Sequence, residues 1–523
     1  MSDEMYLINE IGKSNGQNVK ICGWFKEYIC DGLIIMDSTG ELHVVINPML
    51  TGLYFRDVIS LWGVYDKDKK VFLANRIEVL NKNTYICEND LKDDIDSYLK
   101  NSYLYFNQMD RIEALKMINE IQKMSRDYFT QEYDFIEIQT PVFWTKVQEY
   151  GEGEWISVFS EGGEESYTLP QSPEIITLMN AIGGIQRNFT FGKCFRKEKE
   201  IYRNDSLTEF TQFIITAAYF DINCGKKMIN NFLKALVGTL KFERSYELKT
   251  ISYEDSLFYY GSDKPDLRYQ KILTPIRRGM KDETYRCIII PDDINENIIH
   301  VIENFIVKKL SSAKYEILKT KSSRYTGGSV IKQIKKNIEL DYNLDMEYVL
   351  VIIEDIGNST ENVIRGFVKK LYPIIYGKPK DFVFTWIDKV PFIESLELSG
   401  AQHNIFSKVD QRVFDYHDSS EKYYTSNFDI VLNGVEIASG GVRERFKDAF
   451  INLMKYYNIN DYEEKYNYYM NALSAGAPPI FLIAFGWERL LWILLDRKYI
   501  HEIVNFPKDG EGRCRITNAP RKY

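Results

Sequence analysis

Three short stretches combine residue types that do chemistry together. Phe195-Arg196-Lys197-Glu198 is followed, past a polar loop to about residue 206, by Thr208-Glu209-Phe210-Thr211-Gln212. An arginine at a strand end can grip a phosphate through its planar fork. A carboxylate two residues on faces the same side and can accept from an exocyclic amine. A charged hairpin on a solvated face would have the same composition. Gly486-Trp487-Glu488-Arg489 sets an arginine inside an otherwise apolar run. A buried guanidinium needs an anion, either a bound phosphate or an acid of the chain such as Glu488. In the third stretch, Glu436 and Arg443 flank Ala438-Ser439-Gly440-Gly441, a flat floor where a ligand can approach the backbone. Glu436 could hold Mg²⁺ against nucleotide phosphates, and Arg443 could bind a substrate carboxylate. A glycine bulge in an edge strand is the alternative.

The elements that must position these residues follow from hydrophobic spacing. Val19 to Trp24, Leu33 to Asp37, Leu42 to Asn47 and Val71 to Ala74 read as strands, with a turn at Ser38-Thr39-Gly40. Several short strands within about 90 residues suggest a small OB-type barrel. Ile112, Leu115, Ile118, Ile121 and Met124 recur at helical spacing between Arg111 and Tyr128, ahead of a strand at Phe135 to Ile138. Residues 145–166, rich in Gly and Glu, read as a mobile loop. A strand at Arg286 to Pro291 and a helix at Asn295 to Leu310 mark residues 276–377 as an insertion with its own small core. The last 140 residues return to strands and close on an apolar helix from Glu488 to Leu495.

Composition bounds the function class. The chain has 523 residues, a formal net charge of −9 and 45% hydrophobic residues, enough for a sizeable core and several domains. Ile480 to Leu495 is interrupted by Glu488 and Arg489 and falls short of the ~20 residues that cross a bilayer, so no membrane association is expected. The N-terminal residues lack the basic flank and apolar run of a secretory signal. Seven dispersed cysteines without a CxxC pair read as reduced, cytoplasmic thiols rather than zinc ligands. The acidic balance argues against nonspecific wrapping of nucleic acid, although a local basic patch can still hold an RNA.

Taken in order, these segments resemble the three signature motifs of class II aminoacyl-tRNA synthetases, and within them the aspartyl-tRNA synthetases of bacterial type. Phe135 to Pro141 looks like motif 1, Phe195 to Gln212 like motif 2 and Gly486 to Arg489 like motif 3. Leu169-Pro170-Gln171-Ser172-Pro173 is similar to the amino-acid-binding strand. Gly261-Ser262-Asp263-Lys264-Pro265-Asp266-Leu267-Arg268 matches a signature of the bacterial enzymes throughout, and Asn505 to Lys508 resembles their C-terminal end. The resemblance implies an α+β fold. Its parts would be an OB-fold at 1–92, a hinge at 93–112, an antiparallel-sheet catalytic domain at 113–275 and 378–523, and an inserted α+β domain at 276–377. It also implies an ATP- and Mg²⁺-dependent enzyme that makes an aminoacyl adenylate, from aspartate by default, and transfers it to tRNA, as a cytoplasmic homodimer. Arg196 would contact the α-phosphate, Glu198 the adenine amine, Arg489 the γ-phosphate and Glu436 the metal. Gln171, Glu174, Thr177, His403 and Arg443 would surround the amino acid, beneath a flipping loop at 145–166. The barrel would read the anticodon by base stacking.

Departures from the family pattern gather around the substrate. The lysine that pairs with the aspartate side chain falls on Thr177, a neighbouring glutamine becomes Glu174, and the acid that holds the ammonium becomes Ile214. Losing one of two cations around a buried carboxylate should cost ~3 kcal/mol or more of aspartate affinity. Glu174 could take over the ammonium but would repel an acidic side chain. Ile480-Phe481-Leu482 is bulkier than the usual residues beside the adenine site. In the barrel, Phe25-Lys26-Glu27-Tyr28 replaces a basic run. Two alternatives stay open: a paralogue that adenylates another amino or carboxylic acid for a non-tRNA acceptor, and a catalytically silent RNA-binding or regulatory module.

Overall fold

The computed structural model describes residues 5–46, 51–85, 90–92, 94–107, 109–145, 156–159, 166–197, 205–240, 244–269, 273–277, 284–291, 300–301, 304, 315–319, 348–354, 372–374, 377, 379–392, 404–409 and 424–520. They fall into two compact units, one of residues 1–123, 196–210 and 491–523, the other of residues 124–195 and 211–490.

In the first unit, β1 (Met5–Tyr6), β2 (Val19–Ile29), β3 (Gly32–Met36), β4 (Glu41–Ile46), β5 (Val58–Asp66) and β6 (Val71–Asn81) run in the order β1-β2-β3-β4-β6-β5. Pairing of β2 with β5 closes the sheet into a ring. Alternate residues Val19, Ile21, Leu33, Ile35, Val44, Ile59, Leu61 and Phe72 fill it, as a period of two requires. The helices α1 (Ile95–Asn101) and α2 (Met109–Asp127) follow. The chain's C-terminal stretch is tied to this region: Arg111 Nη2 donates to the Val504 carbonyl at 3.0 Å, and Ser102 Oγ donates to the Asn505 carbonyl at 2.8 Å.

The second unit is built on an eight-stranded sheet. Its strands are β7 (Ile136–Glu137), β10 (Arg187–Phe195), β11 (Glu209–Ala218), β12 (Tyr246–Ser252), β17 (Phe382–Asp388), β18 (Phe428–Leu432), β19 (Val435–Val442) and β20 (Ile480–Gly486). They lie in the order β12-β17-β18-β19-β20-β11-β10-β7. From β17 through β18, β19 and β20 to β11 the pairing is antiparallel, while β12 and β7 join the two ends in parallel. Alternation sorts the side chains between the faces. Phe213 opposite Phe485 joins Phe129, Phe189 and Phe232, the last from α4 (Ile222–Thr239). On the other face, Ile214 opposite Ala484 joins Leu482, Phe450 and Tyr469. That layer includes α3 (Glu174–Ile182), α6 (Lys447–Tyr456) and α7 (Tyr462–Ser474), with α5 (Tyr253–Tyr260) falling between α3 and α6 in the chain. A separate four-stranded sheet, β13 (Leu273–Arg277), β14 (Thr284–Pro291), β16 (Tyr348–Glu354) and β15 (Tyr315–Lys319), is wholly antiparallel and begins three residues ahead of the 276–377 stretch expected as an insertion.

Two local expectations change. Within the supposed loop, β8 (Ser157–Phe159) pairs antiparallel with β9 (Ser166–Thr168), while most of 145–166 lies outside the described residues. Leu169 to Pro173 is not a strand; Pro173 sits at the helix start, where its fixed φ suits the first turn, and Glu174 opens α3. The apolar run from Ile480 is half strand, with Gly486 ending β20 before α8 (Trp487–Leu494) begins. Most of the helix expected at Asn295 to Leu310 also lies outside the described residues. Among the described residues no helix is long and apolar enough to cross a membrane.

Candidate active site

Asn433-Gly434 turns β18 into β19, both with positive φ (53° and 82°), the backbone a two-residue hairpin demands. The register then slips once. Ile430 faces Ala438 but Val431 faces Glu436, so Ile437 is an extra residue in β19. A bulge of this kind reverses the alternation. Glu436 on one side of it and Ser439, Gly441 and Arg443 on the other therefore share a face, together with Asp429, which lies opposite Ser439. The glycine bulge in an edge strand weighed as the alternative is not what is found: the extra residue is Ile437, and its strand is interior, flanked by β18 and β20.

At the hairpin end, Lys264 Nζ is 2.6 Å from Asp429 Oδ2, 2.8 Å from Glu436 Oε2 and 3.6 Å from Asp263 Oδ2. The segment that delivers it is locked: Ser262 Oγ accepts from the Lys264 N–H, and Arg268 forks onto Asp266 and donates to the Pro379 carbonyl. Burial works against the charge on Lys264, but the three carboxylates outweigh it and hold its pKa well above the ordinary lysine value. Burial pushes the Asp429 carboxyl up, with Lys264 opposing. Two carboxylate oxygens converging on one cationic point are the hard donor set that suits Mg²⁺, which is usually held by one or two carboxylates plus phosphate oxygens and water. Asp429 and Glu436 would hold it. Among the described residues no cluster of three acids, histidines or cysteines offers an all-protein cage.

Arg489, in the first turn of α8, donates from Nη1 to the main-chain carbonyl of Glu436 at 3.0 Å. Glu488 points elsewhere: its buried Oε2 accepts from the Thr211 N–H at 2.8 Å, and burial raises its pKa. The neighbouring acid is therefore not the partner that the first alternative gave Arg489.

At the other end of the same face, Arg443 Nε meets Glu174 Oε1 at 2.6 Å, and Asn404 Nδ2 donates to Glu174 Oε2 at 2.7 Å. Glu174 and Arg443 are 0% and 3% exposed. Gln171 and Thr177 are buried, but the Thr177 hydroxyl donates back to the Glu174 carbonyl at 2.8 Å, a bond within the helix. Ile214 stands in the apolar layer with Ile175, Leu178 and Leu482. Ile480 and Leu482 belong to that layer, whereas Phe481 stacks on Phe428 across the sheet's other face.

Arg196 belongs to the other unit. Its N–H donates to the Thr208 carbonyl at 2.9 Å, and its guanidinium lies 5.2 Å from the Phe210 ring centre. Glu198 and His403 lie outside the described residues. The second unit thus brings together Glu436 with Arg489, and Glu174 with Arg443. Asp429, Lys264 and Asn404 were missed by sequence reasoning. Lys264 stood inside a quoted motif without a role, and Asp429 could have been found because the Asn433-Gly434 turn pairs Val431 with Glu436 and Asp429, two residues before Val431, shares its face.

Residues 94–510 match the family model described as tRNA synthetases class II (D, K and N). The chain is 24% identical to the Aspartate--tRNA(Asp/Asn) ligase of Halothermothrix orenii, across 97% of this chain and 94% of that one. It is 27% identical to the Aspartate--tRNA ligase of Ureaplasma parvum, across 96% and 94%. Its fold is like that of asparaginyl-tRNA synthetase from Pyrococcus horikoshii, complexed with asparaginyl-adenylate, with a TM-score of 0.60, 17% identity and 99% of both chains covered. An acid pair and an arginine around one interior strand, a closed ring of strands ahead of the sheet, and a family match over four-fifths of the sequence agree: the chain belongs to the class II tRNA synthetases of the D, K and N group, a family of ATP-dependent ligases.

Proposed function

We propose that this chain joins an amino acid to ATP, releasing pyrophosphate, and transfers the aminoacyl group to the terminal ribose of a tRNA. Aspartate, named in its relatives, is the reference substrate. The observation that carries the reading is the meeting of Asp429, Glu436 and Arg489 beside the bulge in β19. Asp429 and Glu436 fit a Mg²⁺ ion, which when bound neutralises the charge of the leaving pyrophosphate. In this reading Arg489 serves the outer phosphates, and Glu174, Arg443 and Gln171 serve the amino acid. By resemblance, Arg196 grips the α-phosphate as the substrate carboxylate attacks it, Glu198 reads the adenine amine, and His403 lies by the amino acid. Thr177, back-bonded within its helix, contributes packing rather than charge.

Two further features support the assembly. Ile136, Val142 and Phe143 in and after the edge strand β7 are 55%, 44% and 64% exposed, an apolar surface suited to a homodimer. In the ring of strands, Trp62 lies between Lys20 and Arg76, at 5.0 and 4.3 Å, a stacking platform with adjacent positive charge that suits a single-stranded RNA. The dispersed free cysteines fit a cytoplasmic setting.

ATP–pyrophosphate exchange with each amino acid, with and without total tRNA, is the test. Exchange that depends on one amino acid, followed by its transfer to tRNA, is the expected result; no exchange under any condition overturns the proposal. A second reading, transfer to a non-tRNA acceptor, is favoured by Lys26, whose ammonium is held at 2.8 Å by Glu41 and so offers little to a phosphate backbone. Exchange without transfer to any tRNA would select it.

A further inference from the structure

The arginine expected to bind a substrate carboxylate already holds one. Arg443 Nε and Glu174 Oε1 are 2.6 Å apart, and the second carboxylate oxygen takes Asn404 Nδ2 at 2.7 Å. Both members of the ion pair are removed from solvent, and the pair as a whole is neutral. Arg443 Nη1 is buried with no hydrogen-bond partner among the described residues. It lies over the glycine floor: a methyl group on Gly441 would stand 3.1 Å from it. The wall beside this floor is apolar, formed by Leu482 opposite Gly441 and by Ile214 in the same layer.

We infer that Glu174 supplies from within the protein the acid that Arg443 would otherwise take from a substrate, so that the site selects an amino acid whose side chain is uncharged. This rests on the reading of the site as one that activates an amino acid. An acidic side chain would bring a second carboxylate against Glu174 with no second cation among the described residues placed to hold it, since Thr177 carries no charge and its hydroxyl is spent on the Glu174 carbonyl. A cationic side chain would meet Arg443, and both oxygens of Glu174 are already committed. An uncharged side chain leaves the pair intact, packs on Ile214 and Leu482, and can present a carbonyl or hydroxyl oxygen to Arg443 Nη1. Glu174 is thereby a specificity-determining residue, and the price of its burial is met by Arg443 and Asn404 rather than by a ligand.

Calorimetric titration of the full-length protein with L-aspartate, and with L-asparagine as its uncharged isostere, tests this on the wild type and on Glu174→Gln. The glutamine keeps the shape and removes the resident charge. Aspartate should bind Glu174→Gln about tenfold or more tighter than wild type, with asparagine changing by less than about threefold. Equal or weaker aspartate binding by the variant overturns the inference. Should the variant fail to fold, wild-type exchange kinetics decide: kcat/KM for aspartate about 100-fold below that of the best uncharged amino acid supports it, and aspartate as the best substrate refutes it. Absence of exchange with every amino acid would remove the proposed activity while leaving the binding comparison to judge Glu174.

Discussion

Glu436 and Arg443 stand on one face of the sheet although seven residues separate them in a strand. In a regular strand an odd separation sends two side chains to opposite faces. The unpaired Ile437 corrects the parity, and the two ends of one face acquire different chemistry. At the Glu436 end, Asp429, Lys264 and Arg489 gather charge suited to phosphates and a divalent cation. At the Arg443 end, a neutralised ion pair faces an apolar wall. A nucleotide and an amino acid need such a division, with a bare glycine floor between them.

Gly441 belongs to that floor, and its missing side chain has a measurable consequence. A methyl group there would lie 2.9 Å from Asn427 Oδ1, which accepts from Ser407 Oγ, and 2.9 Å from the main-chain carbonyl of Ser426. Gly441→Ala should therefore destabilise the protein by about 1–3 kcal/mol through overpacking. Urea unfolding of the two proteins checks this, and an unchanged midpoint would show that the hairpin gives way more easily than its geometry implies.

The local features of this site were legible in the chain, and the long-range ones were not. Glu436, the glycines and Arg443 pointed to a strand that a ligand can approach, because strand composition is a property of neighbouring residues, and Asn433-Gly434 carries a hairpin signal that the sequence reading left unused. The bulge at Ile437 exists only relative to the partner strand, so no periodicity in β19 alone reveals it. Glu174 meets Arg443 across 269 residues, and Lys264 meets Asp429 across 165; only the folded sheet sets those distances. Leu169 to Pro173, expected as a strand by resemblance alone, leads instead into a helix, with Pro173 at its start, where a fixed φ is tolerated. The closed ring of β2 to β6 was foreseeable from alternation, whereas the parallel strands at the two ends of the large sheet required tertiary pairing.

Arg489 and Glu488 are adjacent, oppositely charged and differently employed, which separates a functional from a structural arginine–glutamate pair. Arg489→Ala should reduce ATP–pyrophosphate exchange by about 10²–10³-fold while leaving the unfolding midpoint nearly unchanged. Glu488→Ala strips the buried Thr211 N–H of its acceptor and should cost about 1–3 kcal/mol of stability. Measuring both exchange and denaturation on both variants distinguishes the two roles. If Arg489→Ala proves to be the unstable one and Glu488→Ala the inactive one, the assignment is reversed.

Lys264 occupies the point where Asp429 and Glu436 converge, and replacing it should expose a demand for another cation. Lys264→Met keeps the length of the side chain but leaves the two carboxylates facing each other, at a cost of about 2 kcal/mol for a partly solvated cluster. Millimolar Mg²⁺ should restore part of that loss by binding the folded form only, raising the melting temperature of Lys264→Met more than that of wild type. Thermal melts with and without Mg²⁺ check this directly; an equal response in both proteins would mean that the acids do not share a cation site.

His501, in the first unit, supplies a pH dependence of its own. It lies in the short turn Ile500–Ile503, is buried, and has no partner at Nδ1 among the described residues. Burial lowers its pKa from the ordinary 6.5 to about 4, so the folded protein keeps it neutral where the unfolded chain already binds a proton. Above pH 6.5 both states are neutral and the group adds no pH dependence. As the pH falls from 6.5 toward 4 the unfolded state is favoured progressively, by about 2 kcal/mol at pH 5 and about 3 kcal/mol at pH 4, after which the effect levels off. His501→Phe removes this titration. Between pH 7.5 and pH 5, wild type should accordingly lose about 2 kcal/mol more than the variant in urea unfolding, because only the wild-type unfolded chain gains the extra proton. Parallel losses in the two proteins would show that the ring is protonated in the folded state as readily as in the unfolded one, and that its burial carries no penalty.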